Sequence, residues 1–185
     1  MVRDAGFAPL TLDALEIAES PEEDAIEAFD TFEENARAKA LWYAARAGGR
    51  LVLADDSGLC VDALGGAPGV RSKRWSEAAG LSGQRLDDAN NARLLRELER
   101  QSSRRARYVC VVVIAAGGVE FLGRGESTGT IIQSAKGENG FGYDPYFLSD
   151  ELGMTFGEAT TTAKQRISHR GRAVRAALQN CAASS

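Results

Sequence analysis

Apolar and polar positions change period several times along the chain, and each change marks an element. "TFEENARAKALWYAARAGG" (31–49) predicts a helix. Thr31 and Glu34 have the spacing of a capping box, alanine and other good helix formers fill the body, and Gly48–Gly49 stop it. "RLVLA" (50–54) predicts a short buried strand ending at Asp55 and Asp56, and "LCVDAL" (59–64) a second. Helical spacing returns in "QRLDDANNARLLRELER" (84–100), with Leu94, Leu95 and Leu98 on one stripe. "RYVCVVVIAA" (107–116) is the longest β-branched run and predicts a central strand. Gly117–Gly118 then turn the chain into "VEFLGRGESTGTII" (119–132), its antiparallel partner. A loop, "SAKGENGFGYDPYF" (134–147), precedes a last helix from about His169 to Cys181, capped by Ser168. Its core face carries Ala173, Val174, Ala177, Leu178 and Cys181. Strands and helices interleave, with antiparallel and parallel pairings both implied. The predicted fold class is α/β, with a mixed central sheet and flanking helices.

Composition narrows this picture. A length of 185 residues suits one domain, and 44% apolar with 26% charged residues is ordinary for a globular protein. No apolar run reaches 18 residues, and the opening "MVRDAGFAPL" has no apolar signal core. Three cysteines, Cys60, Cys110 and Cys181, are odd in number and lack metal spacing, so reduced core residues are expected. A cytoplasmic protein without a membrane partner is the expectation. The net charge of −4 argues against non-specific nucleic-acid binding. Charge is uneven, however: positions 16–34 hold many acids and no lysine or arginine, whereas "KQRISHRGRAVR" near the end is basic.

Four stretches carry candidate chemistry. Asp55 and Asp56 sit at a strand's end, a common ligand position in α/β sheets, and one or two carboxylates suffice for magnesium beside phosphates. Asp-Ser-Gly is also good turn chemistry, so a local backbone cap stands beside that reading. In "GAPGVRSKRW" glycines are followed by Arg71, Lys73 and Arg74, a combination that suits an anion but matches no standard phosphate loop. "ISHRGRA" places His169 and Arg170 at a helix start, where a cation is disfavoured by about 0.3–1 kcal/mol unless an anion or an acceptor-bearing ring docks there. A solvated first turn is the plain alternative. "GENGFGYDPYF" interleaves glycines with Phe141, Tyr143, Tyr146 and Phe147, which either stack on a flat base or belong to the core.

Taken together and in order, "TFEENARAKA", "ADDSGLCVDALGGAPGV", "DDANNARLL", "GFGYDPYF" and "ISHRGRA" resemble the inosine triphosphate pyrophosphatase (Ham1/RdgB-like) family from about Glu27 onward. The resemblance implies a two-lobed fold, magnesium, a homodimer, and hydrolysis of ITP, dITP or XTP to monophosphate and pyrophosphate, which clears the nucleotide pool of non-standard purines. It makes Asp56 the general base and a metal ligand, with Asp55 supporting it and Glu27 as a further metal carboxylate. Lys39 is implied to touch the triphosphate, and Ser57 the substrate beside the aspartates. Phe141, Gly142, Tyr143 and Asp144 form the implied nucleoside segment, completed by Lys164, His169 and Arg170, with Arg74 in the glycine-rich loop.

The chain departs from the family pattern in places. Lys136 stands where arginine is usual, and "TTTA" precedes Lys164 where acids are common. The family opens with a strand and a "SGN..K" or "TGN..K" phosphate loop, which this chain lacks. The resemblance therefore implies an N-terminally shortened form, or a start assigned too late, with weak turnover. Two other readings stand beside the pyrophosphatase: a magnesium-dependent phosphatase of small phosphoesters, and a catalytically impaired nucleotide-binding or dimerising protein.

Overall fold

The run from Tyr108 to Ala115 is buried without alternation, the pattern of a strand covered on both faces. It forms most of β2 (Arg105–Ala116). In the computed structural model, which describes residues 2–3, 6–17, 26 and 28–183, β2 lies inside a four-stranded sheet. The other strands are β1 (Val52–Val61), β3 (Val119–Ile131) and β4 (Phe147–Ser149), in the order β1-β2-β3-β4. Gly117 and Gly118, with φ of +57° and +83°, make the tight turn between β2 and β3 that only positive φ at both positions allows. β4 runs antiparallel to β3, with Ile131 opposite Phe147 and Gly129 opposite Ser149. The sheet is antiparallel, and the parallel component expected from the sequence is not among the described strands.

The helices are α1 (Phe32–Ala44), α2 (Gly83–Glu97), α3 (Thr161–Ile167) and α4 (His169–Ala183). The Thr31 cap is as expected: its hydroxyl accepts the Glu34 N–H at 3.2 Å and donates to the Glu34 carboxylate at 2.7 Å. Helix α4 begins at His169 and buries all five of its expected core residues. The short helix α3 had no counterpart in the sequence reading.

β1 corrects that reading. It does not end at the aspartates: a single strand runs from Val52 through Asp55, Asp56 and Ser57 to Val61, and Asp62–Leu64 form a 3-10 turn. The charges are tolerated in mid-strand because each carboxylate has a partner. Gly58 looked like part of a turn, but it marks a close approach instead. A Cβ there would lie 2.2 Å from the Gly69 carbonyl oxygen and 2.5 Å from Ser72 Oγ.

The chain divides into two compact units. One comprises Met1–Asp56, Cys110–Gly125 and His169–Ser185, and its core joins Cys110, Val112 and Ile114 of β2 to Ala173, Ala177 and Leu178 of α4. Small residues let α4 approach β3 within this unit: a Cβ on Gly123 would lie 2.2 Å from Ala173 O, and one on Gly125 2.2 Å from His169 O. The other unit comprises Ser57–Val109 and Glu126–Ser168. Its core packs Leu59 and Val61 with Leu94, Leu98, Tyr108, Phe147 and Phe156. Tyr108 and Phe156 stack there with ring centroids 5.8 Å apart. Among the described residues no helix is long and apolar enough to cross a membrane.

Candidate active site

Consecutive residues of a strand point to opposite faces, so Asp55 and Asp56 meet different neighbours. Asp56 Oδ2 accepts a hydrogen bond from Asn35 Nδ2 at 3.0 Å. Asn35 is 2% exposed in the first turn of α1, and it is fixed at both ends of its amide. Its Oδ1 accepts the Phe29 N–H at 3.0 Å, and its Nδ2 also reaches the Phe29 carbonyl at 3.3 Å. A neutral donor orients the Asp56 carboxylate without cancelling its charge. One turn further along α1, Lys39 Nζ donates to the backbone oxygen of Asp55 at 2.9 Å.

The Asp55 carboxylate belongs to a different set. It accepts from Arg170 Nε at 2.9 Å, and Cys110 Sγ lies 3.6 Å away. Burial first, and the nearby Asp55 charge second, push the Cys110 thiol far up, so it stays protonated. Arg170 in the opening turn of α4 thus has its anion within the chain: it is Asp55. His169 beside it is buried. Ser57 follows Asp56 in β1, and Glu27 lies outside the described residues.

The second unit holds the other group of candidates around Asp144, which is 2% exposed. Its Oδ2 accepts the Phe141 N–H at 2.9 Å and a short bond from Lys164 Nζ, and Tyr108 OH lies 3.4 Å from Oδ1. Burial, and after it the Asp144 charge, hold the Tyr108 phenol well above its ordinary value, so it remains a donor. Tyr143 is buried and donates its hydroxyl to the Ser72 carbonyl at 2.9 Å. Phe147 is likewise core, so the core reading holds for these aromatics. Phe141 is the exception. It is 67% exposed, with Lys164 Nζ 5.4 Å from its ring centroid.

The expected anion loop is a packed 3-10 helix, Gly69–Arg74, with Arg74 as its exposed last residue. Its Ser72 hydroxyl donates to Gly69 O at 2.6 Å and accepts the Leu59 N–H of β1 at 2.8 Å. Asn35, Tyr108, Asp87 and Asn91 were not singled out from the sequence. Their only local signal is a polar residue at a position that the element's period would bury.

The Ham1 family model matches residues 4–180 of this chain. The chain belongs to the Ham1 family. Two relatives bear the name dITP/XTP pyrophosphatase. That of Ralstonia nicotianae is 45% identical over 171 residues, covering 91% of this chain and 84% of its own. That of an Exiguobacterium species is 46% identical over 176 residues, covering 95% and 85%. Among solved structures, the Ham1 protein of Staphylococcus aureus matches with a TM-score of 0.76 at 36% identity, over 86% of this chain and 80% of its own. A HAM1 protein from Coxiella burnetii matches with a TM-score of 0.76 at 32% identity, over 93% and 82%. Each Ham1 motif quoted from the sequence lies within the matched residues.

Proposed function

We propose that this Ham1-family chain acts as one ITPase-like domain that hydrolyses ITP, dITP and XTP to the nucleoside monophosphate and pyrophosphate. The observation that carries the reading is the Asp56 carboxylate, held in mid-strand by a buried neutral amide. That arrangement suits a base that must be ionised and aimed. In the proposed step Asp56 takes a proton from a water molecule. The water oxygen bonds to the α-phosphorus while the bond from that phosphorus to the bridging oxygen breaks, releasing pyrophosphate. Lys39 and Arg170 face the developing phosphate charge. Phe141 stacks on the purine, and Asp144 and Lys164 recognise its polar edge; His169 is a further substrate contact. A 6-oxo purine offers the Lys164 donor an acceptor where adenine presents another donor, so adenine is the poorer partner. Gly142 and Tyr143 shape the segment, and Ser57 and Arg74 contact the substrate's phosphates.

Magnesium fits the donor set better than a softer metal does. A carboxylate such as Asp56 is the kind of hard oxygen ligand that magnesium takes beside water and phosphates. Asp56 would hold the ion together with Glu27, while Asp55 supports the site by holding Arg170. When bound, the ion offsets phosphate charge and acidifies water. We further propose that the protein works in the cytoplasm as a homodimer, with neither nucleic acid nor membrane as partner.

The test is pyrophosphate release from dITP and dATP, with magnesium and with excess chelator. Release should be far faster from dITP and should stop on chelation. Asp56→Asn should lower kcat by about 10²–10⁴-fold. A variant that keeps more than about a tenth of the rate would remove Asp56 from the role. Release of orthophosphate alone would point to the phosphatase reading.

A further inference from the structure

Asp87 and Asn91 lie one turn apart on α2, so their side chains share a face. Both reach the backbone of the same distant residue. Gly142 donates its N–H to Asp87 Oδ2 at 2.8 Å, and Asn91 Nδ2 donates to the Gly142 carbonyl at 3.0 Å. Gly142 has a φ of +60°, a conformation that L side chains rarely adopt. Its neighbours are anchored as well: Phe141 by its N–H on Asp144, Tyr143 by its hydroxyl on Ser72. The adjacent Asn90 ties down the segment on both sides of Arg74, accepting the Ser76 N–H at 2.7 Å and donating to Lys73 O at 3.1 Å. The loop buries Tyr143 and Phe147 but leaves the Phe141 ring outside the core. Here three consecutive residues are held, Phe141 and Gly142 by their backbone and Tyr143 by its hydroxyl, while the Phe141 ring stays exposed.

We infer that Asp87 and Asn91 are positioning residues that clamp Gly142 and so fix the Phe141 ring as a preformed stacking platform for the purine. This rests on the proposed purine contact of Phe141. The clamp spends two side chains on the polar groups of one peptide position, leaving the exposed ring little freedom to lose when a base docks. Asn91 Oδ1 is buried without a hydrogen-bond partner, so the side chain is held for its donor alone.

The experiment compares wild type, Asp87→Ala, Asp87→Asn and Asn91→Leu in three measurements. These are dITP turnover, inhibition by inosine monophosphate and by pyrophosphate, and hydrogen exchange at the Gly142 amide. Asp87→Ala and Asn91→Leu should raise the KM for dITP and the Ki of inosine monophosphate about tenfold, with pyrophosphate inhibition unchanged and kcat less affected. Asp87→Asn keeps an acceptor oxygen and should recover most of the loss. Asn91→Leu is close in size and discards the unpartnered oxygen, so its melting temperature should stay near wild type. The Gly142 amide should exchange at least about tenfold faster in Asp87→Ala than in wild type. An unprotected Gly142 in wild type overturns the clamp, as does an unchanged KM or parallel weakening of both inhibitors. If Asp87→Ala does not fold, Asn91→Leu decides by the same readings. A protected Gly142 in a wild type that releases no pyrophosphate from dITP overturns the proposed function, and the inference with it.

Discussion

Asn35 and Asp56 are separated by 21 positions, yet the amide of one holds the carboxylate of the other. Replacing Asn35 by aspartate keeps the size and puts a second negative charge about 3 Å from the first, in a largely buried place. Two carboxylates so close cannot both ionise easily, and one of them titrates upward. The expected result for Asn35→Asp is an acid limb of the kcat/KM profile moved to higher pH by about one unit or more. A profile of pyrophosphate release against pH reads this directly. An unmoved acid limb would mean that Asp56 is not the group whose ionisation limits the reaction.

At the scale of elements, the glycines of β3 decide where α4 begins. Gly125 lets the helix start so close that its backbone oxygen at His169 lies where a methyl group would stand. That spacing sets Arg170 against Asp55. Gly125→Ala should therefore cost about 1–3 kcal/mol of stability through overpacking. It should also loosen the Arg170 contact and weaken substrate binding. Thermal melts with dITP kinetics on the same preparation check both effects. A melting temperature and KM equal to wild type would show that α4 can shift without consequence. The capping box of α1 acts in the same way, since the turn held by Thr31 and Glu34 is the one that presents Asn35.

For the molecule as a whole, the three cysteines report on the integrity of both units. Cys60 lies in one and Cys110 with Cys181 in the other, and all three are buried thiols outside any disulfide. Only the thiolate reacts, and burial holds the Cys110 thiol far above its ordinary value. The folded protein should show no thiol reactive toward an aromatic disulfide within minutes, and all three after unfolding in guanidinium chloride. The sign is fixed by the raised value. The protonated, folded form is favoured below the unfolded thiol's pKa of about 8.5, and the advantage is lost as pH rises above it. Stability should therefore fall above about pH 8.5, and less so in Cys110→Ala once its lower baseline is subtracted. A thiol that reacts fast in the native state would show that its unit opens readily.

What the amino-acid order determined alone is local. The Thr31 cap, the buried run of β2, the Gly117–Gly118 turn and the core face of α4 follow from interactions between residues a few positions apart, and they can be read there. The motifs that place the chain in its family are local strings as well. Tertiary structure alone decided the rest. The aspartates were read as a strand's end because two charges in mid-strand are costly. They are tolerated because Asn35 and Arg170, 21 and 115 positions away, come to meet them. Phe141 could not be told from its core neighbours by type, since Tyr143 and Phe147 are aromatics of the same loop. What separates them is that Tyr143 and Phe147 found a core to enter while the Gly142 backbone was held from α2, more than 50 positions earlier. Such contacts depend on loop closure and packing over the whole fold, and no periodicity within a single element encodes them.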